Sequence, residues 1–76
     1  MADLTGADFT YANMPNSDLQ HAILKDTIFL NANIRFADFR GAKYITSKQI
    51  KSAEDWQLAY FSEQLINELS VSYTHL

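Results

Sequence analysis

Cysteine is absent from this chain, so neither a disulfide nor a thiolate metal site can help hold it together. No apolar run approaches the length of a membrane-crossing helix. The opening MADLTGADF has no basic segment followed by an apolar core, so it does not read as a signal peptide, and a cytoplasmic location is expected. Basic residues are few. Six Lys and Arg stand against nine Asp and Glu, a net charge of -3 that favours solubility and weighs against nucleic-acid binding. At 76 residues there is room for one domain, and a chain this short is marginal unless it packs unusually well or assembles with something.

What the chain does have is a period. From Ala2 to Thr46 it divides into nine blocks of five: ADLTG, ADFTY, ANMPN, SDLQH, AILKD, TIFLN, ANIRF, ADFRG, AKYIT. A small residue opens each block: Ala2, Ala7, Ala12, Ser17, Ala22, Thr27, Ala32, Ala37 and Ala42. A large apolar residue sits at each centre: Leu4, Phe9, Met14, Leu19, Leu24, Phe29, Ile34, Phe39 and Tyr44. Period five is neither the 3.6 of a helix nor the 2 of a strand. A helix would need an apolar stripe at i, i+3, i+4 and i+7, whereas these centres smear around a helical axis. The period is satisfied if each block is one short extended side of a coil, with a turn at each corner. Small residues then tuck into the corners, the nine centres form the core, and neighbouring coils pair about 4.8 Å apart. Such regularity marks a solenoid.

The nine blocks resemble the pentapeptide-repeat family, whose pattern is A(D/N)LXX. The resemblance covers residues 2–46. It implies a mainly β fold: a right-handed quadrilateral β-helix with four blocks per coil. On this chain it implies columns of Leu4, Leu24 and Tyr44, of Phe9 and Phe29, of Met14 and Ile34, and of Leu19 and Phe39. The Asp or Asn before the centre matches at Asp3, Asp8, Asn13, Asp18, Asn33 and Asp38, and departs at Ile23, Ile28 and Lys43.

The other positions should face outward, among them Thr5, Thr10, Asn16, Gln20, His21, Lys25, Asp26, Asn31, Arg35 and Arg40. Pro15 lacks an amide proton and fits a turn or an unpaired position. Gly6 and Gly41 fall at corners, where a positive φ costs glycine little. Ile23, Ile28 and Leu30 would form an apolar group on the surface, packed under the C-terminal segment, or ordinary surface, or open to a partner. Tyr11 and Phe36 are isolated outward apolar residues.

After Thr46 the period ends. Thr46 and Gln49 read as a capping box over a short helical turn to Lys51, and Ser52 with Asp55 reads as a second box opening a longer helix over 53–69. Its stripe is Leu58, Phe61, Leu65 and Leu69, widened by Trp56 and Tyr60. Many cyanobacterial members of the family look similar over Thr46, Gln49, Ile50, Lys51, Ser52, Ala53 and Trp56. Residues 47–70 are therefore expected to be a helical C-terminal cap. The helix would lie across the last coil, because an open coil end leaves unpaired backbone and apolar side chains, or down the side over Ile23, Ile28 and Leu30. Val71 to Leu76 fit neither pattern and are expected to be a disordered or non-native tail. The first coil begins without a cap, so the chain is expected to be the C-terminal part of a longer protein, or to self-associate through that end.

No catalytic, cofactor-binding or metal-binding residues are expected. Neither HExxH, paired zinc spacing, a calcium loop nor a glycine-rich phosphate loop is present. Asp18 and Asp38 should stack on the outer face, but paired acids for hydrolysis need a cleft between them. The expected role is a non-catalytic structural or protein-interaction module with a protein partner. The resemblance also implies an alternative, a DNA mimic that binds a topoisomerase such as DNA gyrase, for which Asp18 and Asp38 would matter. Against it, residues 2–46 carry five Asp and the cations Lys25, Arg35, Arg40 and Lys43, a balance of only -1.

Overall fold

The computed structural model describes residues 2–69. The tail expected over Val71 to Leu76 lies outside the described residues.

The fold is of the β-helix type, built from one local unit repeated. In the first block the Leu4 carbonyl accepts the N–H of Ala7 at 2.9 Å, closing a four-residue turn. The same bond recurs at Phe9, Leu19, Leu24, Phe29, Ile34 and Phe39. At Met14 the carbonyl instead accepts the Ser17 hydroxyl at 2.8 Å. The fifth residue of each of the first eight blocks lies in the left-handed region, with φ between 55° and 77°. A positive φ at the third turn position is the type II pattern, which favours glycine. Only Gly6 and Gly41 meet that preference. Tyr11, Asn16, His21, Asp26, Asn31 and Phe36 hold the same conformation. Pairing with the neighbouring coil helps to hold it, as where Tyr11 N–H donates to Leu30 O and Asn16 N–H to Arg35 O.

The residue before each centre explains the Asp/Asn preference. Asp3 Oδ1 accepts both the backbone N–H of Thr5 at 3.1 Å and its hydroxyl at 2.6 Å. Asp8 does the same for Thr10. Asp18, Asn33 and Asp38 accept the N–H groups of Gln20, Arg35 and Arg40 at 3.0–3.1 Å. Each is an Asx turn that sets the chain into the corner.

Residues twenty apart then pair in parallel: Asp3 with Ile23, Asp8 with Ile28, Asn13 with Asn33, Asp18 with Asp38, and Ile23 with Lys43. In each rung the upper residue donates to the small residue below and accepts from the centre below. Ile23 N–H reaches Ala2 O at 2.8 Å, and Leu4 N–H reaches Ile23 O at 2.9 Å. The extended stretch between turns is so short that the pairings are isolated bridges rather than strands. A coil therefore takes twenty residues and offers four bridge positions.

Inside the second coil Leu24, Phe29, Ile34 and Phe39 are fully buried, as are Ala22, Ala32 and Ala37. The small residues lie on the inner wall just past each turn, where any larger side chain would meet the core. Thr27 takes one of these places and is just as buried, its hydroxyl donating to Leu4 O at 2.9 Å. The first-coil centres Leu4, Phe9, Met14 and Leu19 are half-buried against this core. Phe9 stacks on Phe29 with ring centroids 5.6 Å apart.

The ninth block does not follow the pattern, which corrects one expected core residue. Tyr44 is 69% exposed. The left-handed residue arrives two positions early, at Tyr44 itself (φ 61°), so its ring turns outward and Ile45 packs against the core instead.

The single helix expected over 53–69 is also corrected. Helix α1 (Ser47–Lys51) carries the capping box read from the sequence: Gln49 N–H donates to Thr46 Oγ1, and Thr46 N–H to Gln49 Oε1 at 2.8 Å. Ser52 does not open a second helix but closes the first as its C-cap. The chain then returns to the coil. Glu54 bridges Asn33 and Tyr60 bridges Asp38, with a single 3-10 turn at Trp56–Leu58 between them. Only then does helix α2 (Glu63–Leu69) form. The free edge of the second coil explains the break. Ala32 O and Ala37 O accept the N–H groups of Glu54 and Tyr60, and a continuous helix would have left those carbonyls unpaired. The buried residues of this segment are Ile50, Ala53, Trp56, Ala59, Phe61, Leu65 and Leu69. Phe61 stacks on Phe39, centroids 5.3 Å apart, adding a third layer to that column.

Candidate interaction surface

With the centres turned inward, the outer wall is made of the bridge residues and the two corner residues of each block. Ile23, Ile28 and Leu30 belong to this wall. Ile23 is half-buried, and Ile28 and Leu30 are 45% and 47% exposed. Ile28 sits over Asp8 in its rung, and Leu30 O accepts the N–H of Tyr11, itself 74% exposed. Tyr11 therefore joins Ile28 and Leu30 on one side of the coil. Its place there was concealed in the sequence, because nearly a full coil of chain separates Tyr11 from Leu30.

Asp18 and Asp38 are brought together as a bridge pair, but they are not two free carboxylates. Arg40 spans Asp38, with Nε on Oδ1 at 3.0 Å and Nη2 on Oδ2 at 2.7 Å. This hydrogen-bonded pair holds the Asp38 carboxyl below the usual carboxylate range and raises the Arg40 guanidinium. Asp18 accepts from the Gln20 side chain at 3.2 Å. Asp3 and Asp8 are likewise lowered, first by the hydroxyls of Thr5 and Thr10 and then by their backbone N–H groups. Asp3, Asp8, Asp18 and Asp38 are thus engaged in turn formation.

The same wall holds cation–ring contacts with no sequence signal. Arg40 lies 6.0 Å from the Tyr60 ring centre, and Arg35 lies 5.1 Å from that of Phe36 and pairs with Asp55 at 3.9 Å. His21 packs its ring over Gly41 in the next coil, so closely that a Cβ on Gly41 would collide with the imidazole. His21 fills a packing role there. Among the described residues no group of three or more His, Cys, Asp or Glu is placed to hold a metal. None of their helices is long and apolar enough to cross a membrane.

One concave feature was not read from the sequence. A groove of about 460 Å³ runs between residues 41–45 and α2, where Tyr44 leaves the repeat. Phe39, Ala42 and Leu65 line it, with Lys43, Tyr44 and Glu68 at its edge.

Residues 16–43 match the family model described as pentapeptide repeats (8 copies). Comparison with curated proteins and with solved structures found no match. The matched stretch is less than half of the chain, and within it the turns at Leu19, Leu24, Phe29, Ile34 and Phe39 follow one another at five-residue intervals. Over residues 16–43 the chain carries pentapeptide repeats.

Proposed function

We propose that this chain is a non-catalytic structural and protein-interaction module. In this reading residues 2–46 form a right-handed quadrilateral β-helix of nine repeats, and residues 47–70 act as its C-terminal cap. The twenty-residue bridge spacing supports the first part, and the pairing of Glu54 and Tyr60 to the second coil supports the second. The partner surface is the wall carrying Ile23, Ile28 and Leu30, with Asp18 and Asp38 on a neighbouring side. No cofactor and no nucleic acid enters this reading, and its setting is the cytoplasm.

The observation that carries it is the exposure of Ile28 and Leu30. The C-terminal segment pairs with the coil end and leaves these side chains uncovered, although apolar burial is what a short chain most needs. A photoactivatable side chain placed at Leu30, with Asn16 as a control on another side, tests it in cells. One discrete protein adduct is expected from Leu30 and none from Asn16. Equal adducts from both positions would sink the reading. The DNA-mimic alternative is less supported, because Arg40 neutralises Asp38. A gyrase supercoiling assay separates the two: inhibition that disappears in the double variant Asp18→Asn, Asp38→Asn would favour the mimic.

A further inference from the structure

Among the described residues, the bridge ladder on the first side of the coil stops one rung short. Ala2 O accepts Ile23 N–H, and Ala22 O accepts Lys43 N–H. Leu4 N–H and Leu24 N–H donate to Ile23 O and Lys43 O. The next rung would form on Ala42 O and Tyr44 N–H, and neither has a partner among the described residues. On the third and fourth sides the chain pairs over the second coil through Glu54 and Tyr60. On this side nothing described lies over residues 42–44 except the groove, which both Ala42 and Tyr44 line. Phe39 and Leu65, both buried, supply an apolar floor, and exposed Lys43 stands beside the vacant rung.

We propose that this groove receives one extended peptide segment from a partner, added in parallel as the next rung. The ladder specifies its chemistry. The residue at the bridge position donates its N–H to Ala42 O and accepts from Tyr44 N–H, as Ile23 and Lys43 do below. Its side chain comes out beside Lys43, so an acidic residue fits. The residue before it faces the wall above Ala42 and is small. The residue after it enters the groove toward Phe39 and Leu65 and is apolar. The ligand is therefore a small–acidic–apolar tripeptide within an extended stretch. Backbone pairing supplies the affinity and the alternate side chains the specificity. The site lies at the coil end, apart from Ile28 and Leu30, so it stands or falls independently of the wall.

The probe is a fluorescein-labelled peptide Ala-Asp-Phe-Thr-Tyr, read by anisotropy with the full chain. Saturable binding is expected. Methylating the peptide nitrogen of its Asp removes the donor to Ala42 O without touching the protein, and should weaken binding by at least about tenfold. Lys43→Glu, a change at an exposed side chain, should weaken the Asp peptide and strengthen the matching Ala-Lys-Phe-Thr-Tyr peptide. Absence of binding up to about 1 mM, or equal binding of the methylated peptide, would overturn the proposal. Sedimentation velocity distinguishes the remaining occupant. A dimer of the chain that the peptide dissolves would assign the groove to a second copy and would also overturn it.

Discussion

Replacing Gln49 by glutamate should damage this protein more than its position in a short surface helix suggests. The side chain joins two parts of the fold. Its Oε1 accepts Thr46 N–H at 2.8 Å and completes the capping box of α1. Its Nε2 donates to Leu24 O at 2.8 Å and to Thr27 O at 2.9 Å. Elsewhere in the ladder the carbonyl in the Thr27 place accepts a backbone N–H from the coil above, as Ala7 O does from Ile28. Over Thr27 the third coil is helical, so the Gln49 amide takes the place of that backbone donor. Leu24 O also accepts from Thr27 N–H, so it keeps one partner when Gln49 is lost. Thr27 O keeps none among the described residues. An acceptor left unsatisfied costs about 1–3 kcal/mol, and one lost bond at an otherwise paired carbonyl costs about 0.5–1.5 kcal/mol.

Gln49→Ala removes these contacts together with half of the capping box, for a loss of about 2–5 kcal/mol. Gln49→Glu isolates the part that matters. It retains an acceptor for Thr46 N–H but turns a carboxylate oxygen toward two carbonyl oxygens, so it should cost at least as much as alanine. For a chain of this size either variant should melt at least about 8 °C lower. Urea and thermal melts followed by circular dichroism measure it, with exposed Gln20→Ala as the control, expected within about 0.5 kcal/mol of the parent. A Gln49→Glu protein as stable as the parent would show that the cap alone accounts for Gln49, and that its amide does not stand in for a third-coil backbone donor.

Ala22→Leu should cost about 1–3 kcal/mol by overpacking the inner wall, while Lys25→Leu at the exposed corner should cost little; equal losses in urea melts would mean that inside and outside are misassigned. Gly6 and Gly41 share a positive φ, but a Cβ meets nothing at Gly6 and meets His21 at Gly41. Gly6→Ala should therefore cost about 1 kcal/mol from the backbone alone, and Gly41→Ala more, with the excess returned in the double variant with His21→Ala. Asp3, Asp8 and Asp38 have lowered folded-state pKa values, so their contribution is complete above the ordinary carboxylate pKa and is lost as pH falls through the lowered values. Stability measured from about pH 5 downward, about one unit above the ordinary carboxylate pKa, should fall more steeply for the parent than for Asp8→Asn. Asparagine keeps the Asx contact without titrating, as Asn33 does with Arg35.

The coil was legible because its determinants are local and repeated. A turn needs a left-handed residue, an inner wall needs a small residue, and a core needs an apolar one, so each block states the same three requirements. The Asx turns were half legible: the Asp/Asn preference stood out, but its cause lies two residues away in hydrogen bonds that a one-letter pattern does not display. Tyr44 was illegible for a different reason. As the centre of a ninth block it looks like Tyr in a core position, and nothing within AKYIT signals that the turn comes early. The deciding features lie further on, in the Thr46 cap and in Gln49, which take the chain into α1 and draw Ile45 inward. The surface group was legible only along the chain, since Tyr11 joins Ile28 and Leu30 through the twenty-residue pitch.

The C-terminal segment shows where periodicity misleads. Leu58, Phe61, Leu65 and Leu69 are spaced as a helical stripe, and Phe61, Leu65 and Leu69 are buried, yet only the last two lie in α2. Local propensity competed there with an open ladder whose carbonyls at Ala32 and Ala37 required donors. Helix formation over 53–62 would have satisfied the segment's own backbone at the expense of the coil's. Pairing Glu54 and Tyr60 with the coil satisfies both, and the intervals are absorbed by the 3-10 turn at Trp56–Leu58 and by Asp55 in the left-handed region (φ 58°). The register shifts from twenty residues to twenty-one at Asn33 with Glu54 and twenty-two at Asp38 with Tyr60. Each added residue carries the chain further from the repeat, and by Gly41 the backbone donor finds only a side chain, the Ser62 hydroxyl at 2.7 Å. Among the described residues the ladder ends at that corner, because the residues that could extend it have become α2. That is why the rung over Ala42 and Tyr44, unpaired among the described residues, lies beside α2 rather than on another side of the coil.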